Sequence, residues 1–82
     1  MKHTNYFSYV KKRPDRALIE DKWILETIAN PIRTVVQGDG RLRKWAYINE
    51  EKKYLRVITL SDGMTVHNAF FDRSFKEDND ED

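Results

Sequence analysis

Between two runs that alternate apolar and polar residues, Lys53-Tyr-Leu-Arg-Val-Ile-Thr-Leu-Ser61 and Met64-Thr-Val-His-Asn-Ala-Phe-Phe71, the chain places only Asp62-Gly63. Asp-Gly readily adopts the left-handed backbone of a tight hairpin turn, and period-two alternation on both sides is the pattern of half-buried strands. The dipeptide therefore predicts antiparallel strands over 53–61 and 64–71 in a definite register. Ser61 is expected opposite Met64, Thr59 opposite Val66, Val57 opposite Asn68 and Leu55 opposite Phe70, all on one face of the sheet. Arg56, opposite Ala69 and diagonal to His67, then falls on the other.

The rest of the chain supplies partners for this hairpin. IRTVVQ (32–37) is β-branched and ends at Gly38-Asp39-Gly40, and RLRKWAYIN (41–49) alternates again. A four-residue loop at 49–52 would set Ile48 opposite Lys53, Trp45 opposite Arg56 and Tyr47 opposite Tyr54. Upstream, LIEDKWILETIANP puts Trp23, Ile24 and Ile28 on one helical face, with Glu20 and Asp21 at its start and Asn30-Pro31 as a stop. This predicts a helix at about 19–29; residues 6–13 define no element. The expected fold is α+β, an N-terminal helix packed on one face of a four-stranded antiparallel β-meander. Leu42, Ala46, Ile48, Leu55, Val57, Thr59, Val66, Asn68 and Phe70 form its core face. The opposite face collects Arg41, Arg43, Trp45, Tyr47, Tyr54, Arg56, Ile58, Leu60, Thr65, His67, Ala69 and Phe71.

Eighty-two residues make one small domain, taken as 1–76, too small for a deep enclosed site. The absence of cysteine removes disulfides and thiolate metal sites, and no HExxH or paired-histidine spacing suggests another metal. Gly38-Asp-Gly40 is too short for a dinucleotide or phosphate-loop fingerprint, and there is no nucleophile elbow, so no cofactor is expected. No signal-peptide pattern or membrane-spanning apolar run is present, which makes the cytoplasm the expected location. Five of the fourteen acids fall in residues 77–82, a tail expected to be disordered. That leaves nine acids against fifteen Lys and Arg in 1–76, a net of about +6. A basic body suits an anionic partner such as nucleic acid, or simply solvates a small surface. The tail would either screen Arg41, Arg43 and Arg56 or aid solubility.

Chemistry concentrates on the face opposite the helix. An imidazole beside an arginine is neutral at pH 7 and can take a proton and return it, whereas the ordinary alternative is a structural histidine near a sheet edge. Arg41, Arg43 and Arg56 can clamp phosphate bidentately, or serve as a solvated face whose stems cover Trp45 and Tyr47. Trp45, Tyr47 and Tyr54 can stack bases at about 1–3 kcal/mol each, or form a second hydrophobic cluster with Ile58, Leu60 and Phe71. Asp72-Arg73 either pairs locally or positions a ligand.

The motifs DGRLRKWAYI and KKYLRVITLSDGMTVHNAFFDRSF, together with LIEDKWILETIANP and VKKRPDR, resemble a group of small bacterial proteins with a DGR…W…LRV…DG…TVHNAF.DR.F pattern. The resemblance covers about residues 10–75. The layout is similar to that of RelE-like toxins and other ribonucleases of the barnase, EndoU and colicin type. It implies RNA on the sheet face opposite the helices, His67 as general acid or base, and Arg56 and Arg41 facing phosphate charge. Tyr47 or Trp45 would stack a base, and Tyr47 or Tyr54 would be the second proton-transfer group. Arg41, Arg43, Trp45, Tyr54 and Arg73 would make up the RNA-binding set, and an antitoxin would be a protein partner. The alternative function is a non-enzymatic interaction module that uses the same face or an exposed strand edge.

Overall fold

Three helical segments precede four strands in the computed structural model, which describes residues 1–77: α1 (Asn5–Val10), α2 (Pro14–Ala17), α3 (Asp21–Ala29), β1 (Arg33–Val36), β2 (Leu42–Ile48), β3 (Lys53–Thr59) and β4 (Val66–Phe71). The strands form one antiparallel sheet in the order β1-β2-β3-β4. The expected α+β meander is therefore present. Residues 78–82, most of the acidic tail, lie outside the described residues.

α3 forms where its spacing places it, burying Trp23 and Ile24 with Ile28 packed alongside. It packs against β2 and β3. Thr27 is fully buried in the same seam, and its hydroxyl donates to the Trp23 carbonyl at 2.8 Å, so the polar group is satisfied within the helix. Lys44 Nζ donates to the Ile28 carbonyl at 3.4 Å, at the helix end where positive charge is favoured.

Local sequence signals define no element where α1 and α2 form. Only Phe7 and Val10 mark the buried face of α1, and a six-residue helix has little stability in isolation. Packing on β4 supplies what propensity does not. Thr4 provides the one local signal, an N-cap oxygen that accepts the Phe7 N–H at 3.1 Å. Pro14 opens α2 at a position where its missing N–H is harmless. An ion pair between Lys11 and Asp21 ties the end of α1 to the first turn of α3.

Between β2 and β3 the observed register is the expected one: Trp45 opposite Arg56, Tyr47 opposite Tyr54, Ile48 opposite Lys53. The loop at 49–52 closes with Lys52 at a φ of 55°. The next hairpin differs in its turn. Leu60 N–H donates to the Thr65 carbonyl at 2.9 Å across a four-residue loop in which Gly63 has a φ of 74°. The Asp62 carboxylate accepts the Met64 and Thr65 N–H groups at 2.9 Å each and also the Thr65 hydroxyl. These donors, the Thr65 hydroxyl first, hold its carboxyl down to about 2. The centre of the turn is unchanged, so Thr59 still faces Val66.

One residue further the register shifts. Ile58 pairs with Asn68, leaving His67 as the extra residue of a β-bulge, and from there Val57 faces Ala69, Arg56 faces Phe70 and Leu55 faces Phe71. This corrects the expected faces of four residues: Asn68 and Phe70 leave the core side, and Ala69 and Phe71 join it. The physical reason is that the bulge lets Val66, Ala69 and Phe71 all turn to the helical side of the sheet, where Phe7, Ile19, Trp23 and Ile24 complete the core. Val66 and Ala69 are essentially inaccessible, and Phe71 tilts against Trp23 with ring centroids 6.2 Å apart. Asn68 instead accepts a hydrogen bond from Arg16 at 2.7 Å.

The outer edge of β4 is bridged at its first residue. Val66 N–H donates to the Lys2 carbonyl and Thr4 N–H to the Val66 carbonyl, both at 2.9 Å, so the N-terminal residues run along the edge before α1 begins. No strand covers the outer edge of β1 among the described residues. The core joins Phe7, Ile19, Trp23 and Ile24 to Ile48, Leu55, Val57, Val66 and Ala69. Leu55 sits at its centre with no exposed surface. Replacing it with alanine should destabilise the domain by about 2–5 kcal/mol. The denaturant midpoint should fall while the slope of the transition stays constant.

Candidate functional site

The sheet face away from α3 is not an open platform. After β4 the chain turns at Asp72, where Ser74 donates its N–H at 3.0 Å and its hydroxyl at 2.7 Å to Oδ1, and this turn returns Phe75 over the face. Phe75 stacks on Trp45 with centroids 4.9 Å apart and meets Tyr54 edge-on at the same distance. Trp45, expected to stack a base, is thereby buried to 5% exposure. Its indole N–H donates to Asp72 Oδ2 at 3.0 Å.

Arg56 is committed to the same carboxylate. Its Nε and Nη2 donate to Asp72 Oδ2 at 3.1 and 2.8 Å. Its guanidinium lies 5.3 Å from the Trp45 ring centre and 4.9 Å from that of Phe70. Arg16 of α2 covers Phe70 at 5.2 Å and Arg33 of β1 covers Phe75 at 5.0 Å. The result is a continuous array, Arg33–Phe75–Trp45–Arg56–Phe70–Arg16, in which each cation rests on an aromatic face. Burial alone would raise the Asp72 carboxyl, but the hydrogen bonds from Trp45, Ser74 and Arg56 outweigh it and hold the group below the usual carboxylate range. Asp72 therefore stays charged, and its partner is Arg56 rather than the adjacent Arg73.

His67 lies apart from this array, against α1. Its ring stacks on Tyr6 with centroids 4.9 Å apart and planes 23° from parallel, and Nδ1 shares a hydrogen bond of 3.1 Å with Thr4 Oγ1. Thr4 thus caps α1 and orients the imidazole with one oxygen. The ring is half-buried, and burial first, then the charge of Arg41, lower its pKa below the ordinary value; Asp39 acts weakly in the other direction. At neutral pH the ring is uncharged. Arg41 is itself half-buried and pairs with Asp39 at 3.5 Å.

The expected residues thus divide along the strands. Arg41 and His67 belong to the end carrying the 38–40 and 61–64 turns. Tyr47, 43% exposed, meets Tyr54 edge-on at 5.1 Å at the other end. Tyr47 lies six residue steps from Arg41 along the β2 strand direction, about 20 Å at the rise of a strand, so Tyr47 and His67 cannot serve one phosphate. The bulge also places Arg56 opposite Phe70 rather than diagonal to His67. Arg43 is half-buried between these ends and its Nε has no hydrogen-bond partner among the described residues. Tyr54 donates its hydroxyl to Glu77 at 2.5 Å, and that bond, with burial, raises its pKa above the ordinary value. Arg73 is exposed beside Tyr54.

Sequence reasoning missed Thr4, Tyr6, Arg16, Arg33 and Phe75, and it assigned Phe70 to the wrong face. For Thr4 the N-cap spacing was a usable signal. For the others the contacts arise only when α1, α2 and residues 72–75 fold onto the sheet. Among the described residues no helix is long and apolar enough to cross a membrane. Comparisons with protein-family models, with curated proteins and with solved structures returned no match.

These environments have measurable consequences. Asp72→Asn leaves Arg56 without its counter-charge; with the Arg56 side chain still 22% exposed, the loss should be about 2–3 kcal/mol, below the ~3–5 of a fully buried pair. Chemical denaturation would measure it, and Trp45 emission should move to longer wavelength as its indole gains access to water. For His67 the folded pKa is depressed, so its contribution to stability is full above the unfolded value near 6.5 and is lost as pH falls through the folded value. His67→Gln should flatten the stability profile in that acid window and leave it unchanged above pH 7.

Proposed function

We propose that this chain is an RNA-directed protein of the RelE-like kind, with its reactive centre at the His67–Arg41 end of the sheet. The supporting observation is the setting of His67: a neutral imidazole, oriented at Nδ1 by Thr4 and on one ring face by Tyr6, with the charge of Arg41 nearby. In the tautomer whose Nδ1–H donates to Thr4, Nε2 is the base. It would take the proton of a ribose 2′-hydroxyl as that oxygen attacks the adjacent phosphorus. The 5′-oxygen of the next nucleotide then leaves and takes a proton back from the imidazolium, giving a 2′,3′-cyclic phosphate, a free 5′-hydroxyl and the neutral ring. Arg41 would face the phosphoryl oxygens, since a guanidinium keeps its charge and its paired donors at any relevant pH. Arg56, Trp45 and Tyr47 have no part in this chemistry. Tyr6 takes the place of Tyr47 as the phenol beside the imidazole. Such a protein would act in the bacterial cytoplasm and be held in check by an antitoxin.

A second reading, a non-enzymatic interaction module, is favoured by a different observation. Arg56, Trp45 and Asp72 are consumed by internal packing, while β1 presents an uncovered edge, among the described residues, with Val35 and Val36 exposed. Expression of the parental chain, His67→Ala and Arg41→Ala, with RNA integrity and circular dichroism as readouts, separates the two. A catalytic imidazole should lose about 10²–10⁴-fold in cleavage on removal with the fold intact. Equal cleavage by the parental chain and His67→Ala would exclude His67 from the reaction, and intact RNA in every case would favour the module.

A further inference from the structure

At the end of the sheet opposite His67, a cleft opens between the start of β3 and the segment after β4. Tyr54, Phe71 and Phe75 line it, and Lys52, Lys53 and Arg73 ring it. All three cations are exposed, and none of them forms an ion pair among the described residues. Lys53 Nζ rests over the Phe71 ring, 5.4 Å from its centre, on a residue that stays exposed. Asp72, the one acid in the lining, is already neutralised by Arg56. The cleft is therefore a concave, aromatic-floored surface whose three rim cations have no ion-pair partner among the described residues.

The described chain arrives at this rim. Glu77 accepts the Tyr54 hydroxyl, and Tyr54 is part of the lining, so the remaining C-terminal residues begin within the cleft's field. Those residues are Asp78-Asn79-Asp80-Glu81-Asp82, four acids in five positions. Five residues span at most about 17 Å, enough to reach Lys52, Lys53 and Arg73 but not the His67 end. A segment tethered beside its site meets it at an effective concentration on the order of millimolar, so individually weak pairs suffice.

We propose that the cleft is a docking site for an acidic segment, and that its occupant in this chain is residues 78–82. The cations the tail neutralises are then Lys52, Lys53 and Arg73, not the Arg41, Arg43 and Arg56 suggested by composition. An acidic peptide of a partner protein would have to displace the tail to use the same surface. The proposal does not rest on the RNA reading.

The test compares backbone amide shifts of the full chain with those of a variant ending at Glu77. At about 0.01 M salt, where the Debye length is about 30 Å, deletion should move the amides of Lys52, Lys53, Tyr54 and Arg73. At about 1 M, where it is about 3 Å, the difference should vanish. In a K52Q/R73Q background, which alters only exposed side chains, the deletion should have little effect at either salt concentration. A second variant, Lys53→Gln, gives the same reading if that pair perturbs the loop. Unchanged amides on deletion at low salt, or changes that persist at high salt or survive the charge-removing variants, would overturn the proposal. No RNA enters the measurement, so loss of the ribonuclease reading and loss of this one are separate outcomes.

Discussion

One carboxylate organises the face of the sheet that α3 leaves uncovered. Asp72 sits just past β4, accepts the Trp45 indole N–H and two Arg56 donors on one oxygen, and turns the chain through Ser74 on the other. Its burial opposes ionisation, yet so many donors converge on it that the ion is retained. This anchor brings Phe75 back across Trp45 and fixes Arg56 between two aromatic rings. Without it, the same face would be the open basic-aromatic platform that its residue types suggest. With it, the middle of the face is a second packed layer, and only its two ends remain available.

The bulge at His67 separates the chemistry of those ends. A regular strand would have put Asn68 and Phe70 toward α3 and kept the imidazole close to Arg56. The extra residue instead turns the apolar Ala69 and Phe71 inward, and the imidazole meets Tyr6 and Thr4. Those residues lie where they do because the N-terminal backbone pairs with Val66 along the β4 edge. The same edge bridge that blunts unwanted strand pairing there thus supplies the environment of the histidine.

The two ends differ in physical character. At one, a neutral ring is oriented by a hydroxyl and an aromatic face near Arg41. At the other, three cations surround an aromatic cleft, and the Tyr54–Glu77 hydrogen bond brings the chain to its rim. Because about 20 Å of strand lies between them, a ligand at one end does not compete for the groups of the other. The first end presents a half-buried imidazole, and the second an aromatic-floored cleft with exposed cations.

Local patterning placed a helix at about 19–29, of which Asp21–Ala29 forms, and determined the order of the strands, the β2–β3 register and the inward positions of Ala46, Ile48, Leu55, Val57, Thr59 and Val66. Each comes from periodicity and from loops whose lengths the chain itself sets. Neither the composition nor the alternation around His67 contained the bulge. A one-residue slip reverses every subsequent side chain, and here it turns Ala69 and Phe71 rather than Asn68 and Phe70 to the helical side of the sheet. The fate of Arg56 and Trp45 was likewise tertiary, because Asp72 lies 16 and 27 residues away from them. Sequence could show that cations, aromatics and an imidazole share a surface. Only the closing of the N-terminal residues on one edge, and of residues 72–75 on the face, decided which of them remain free to act.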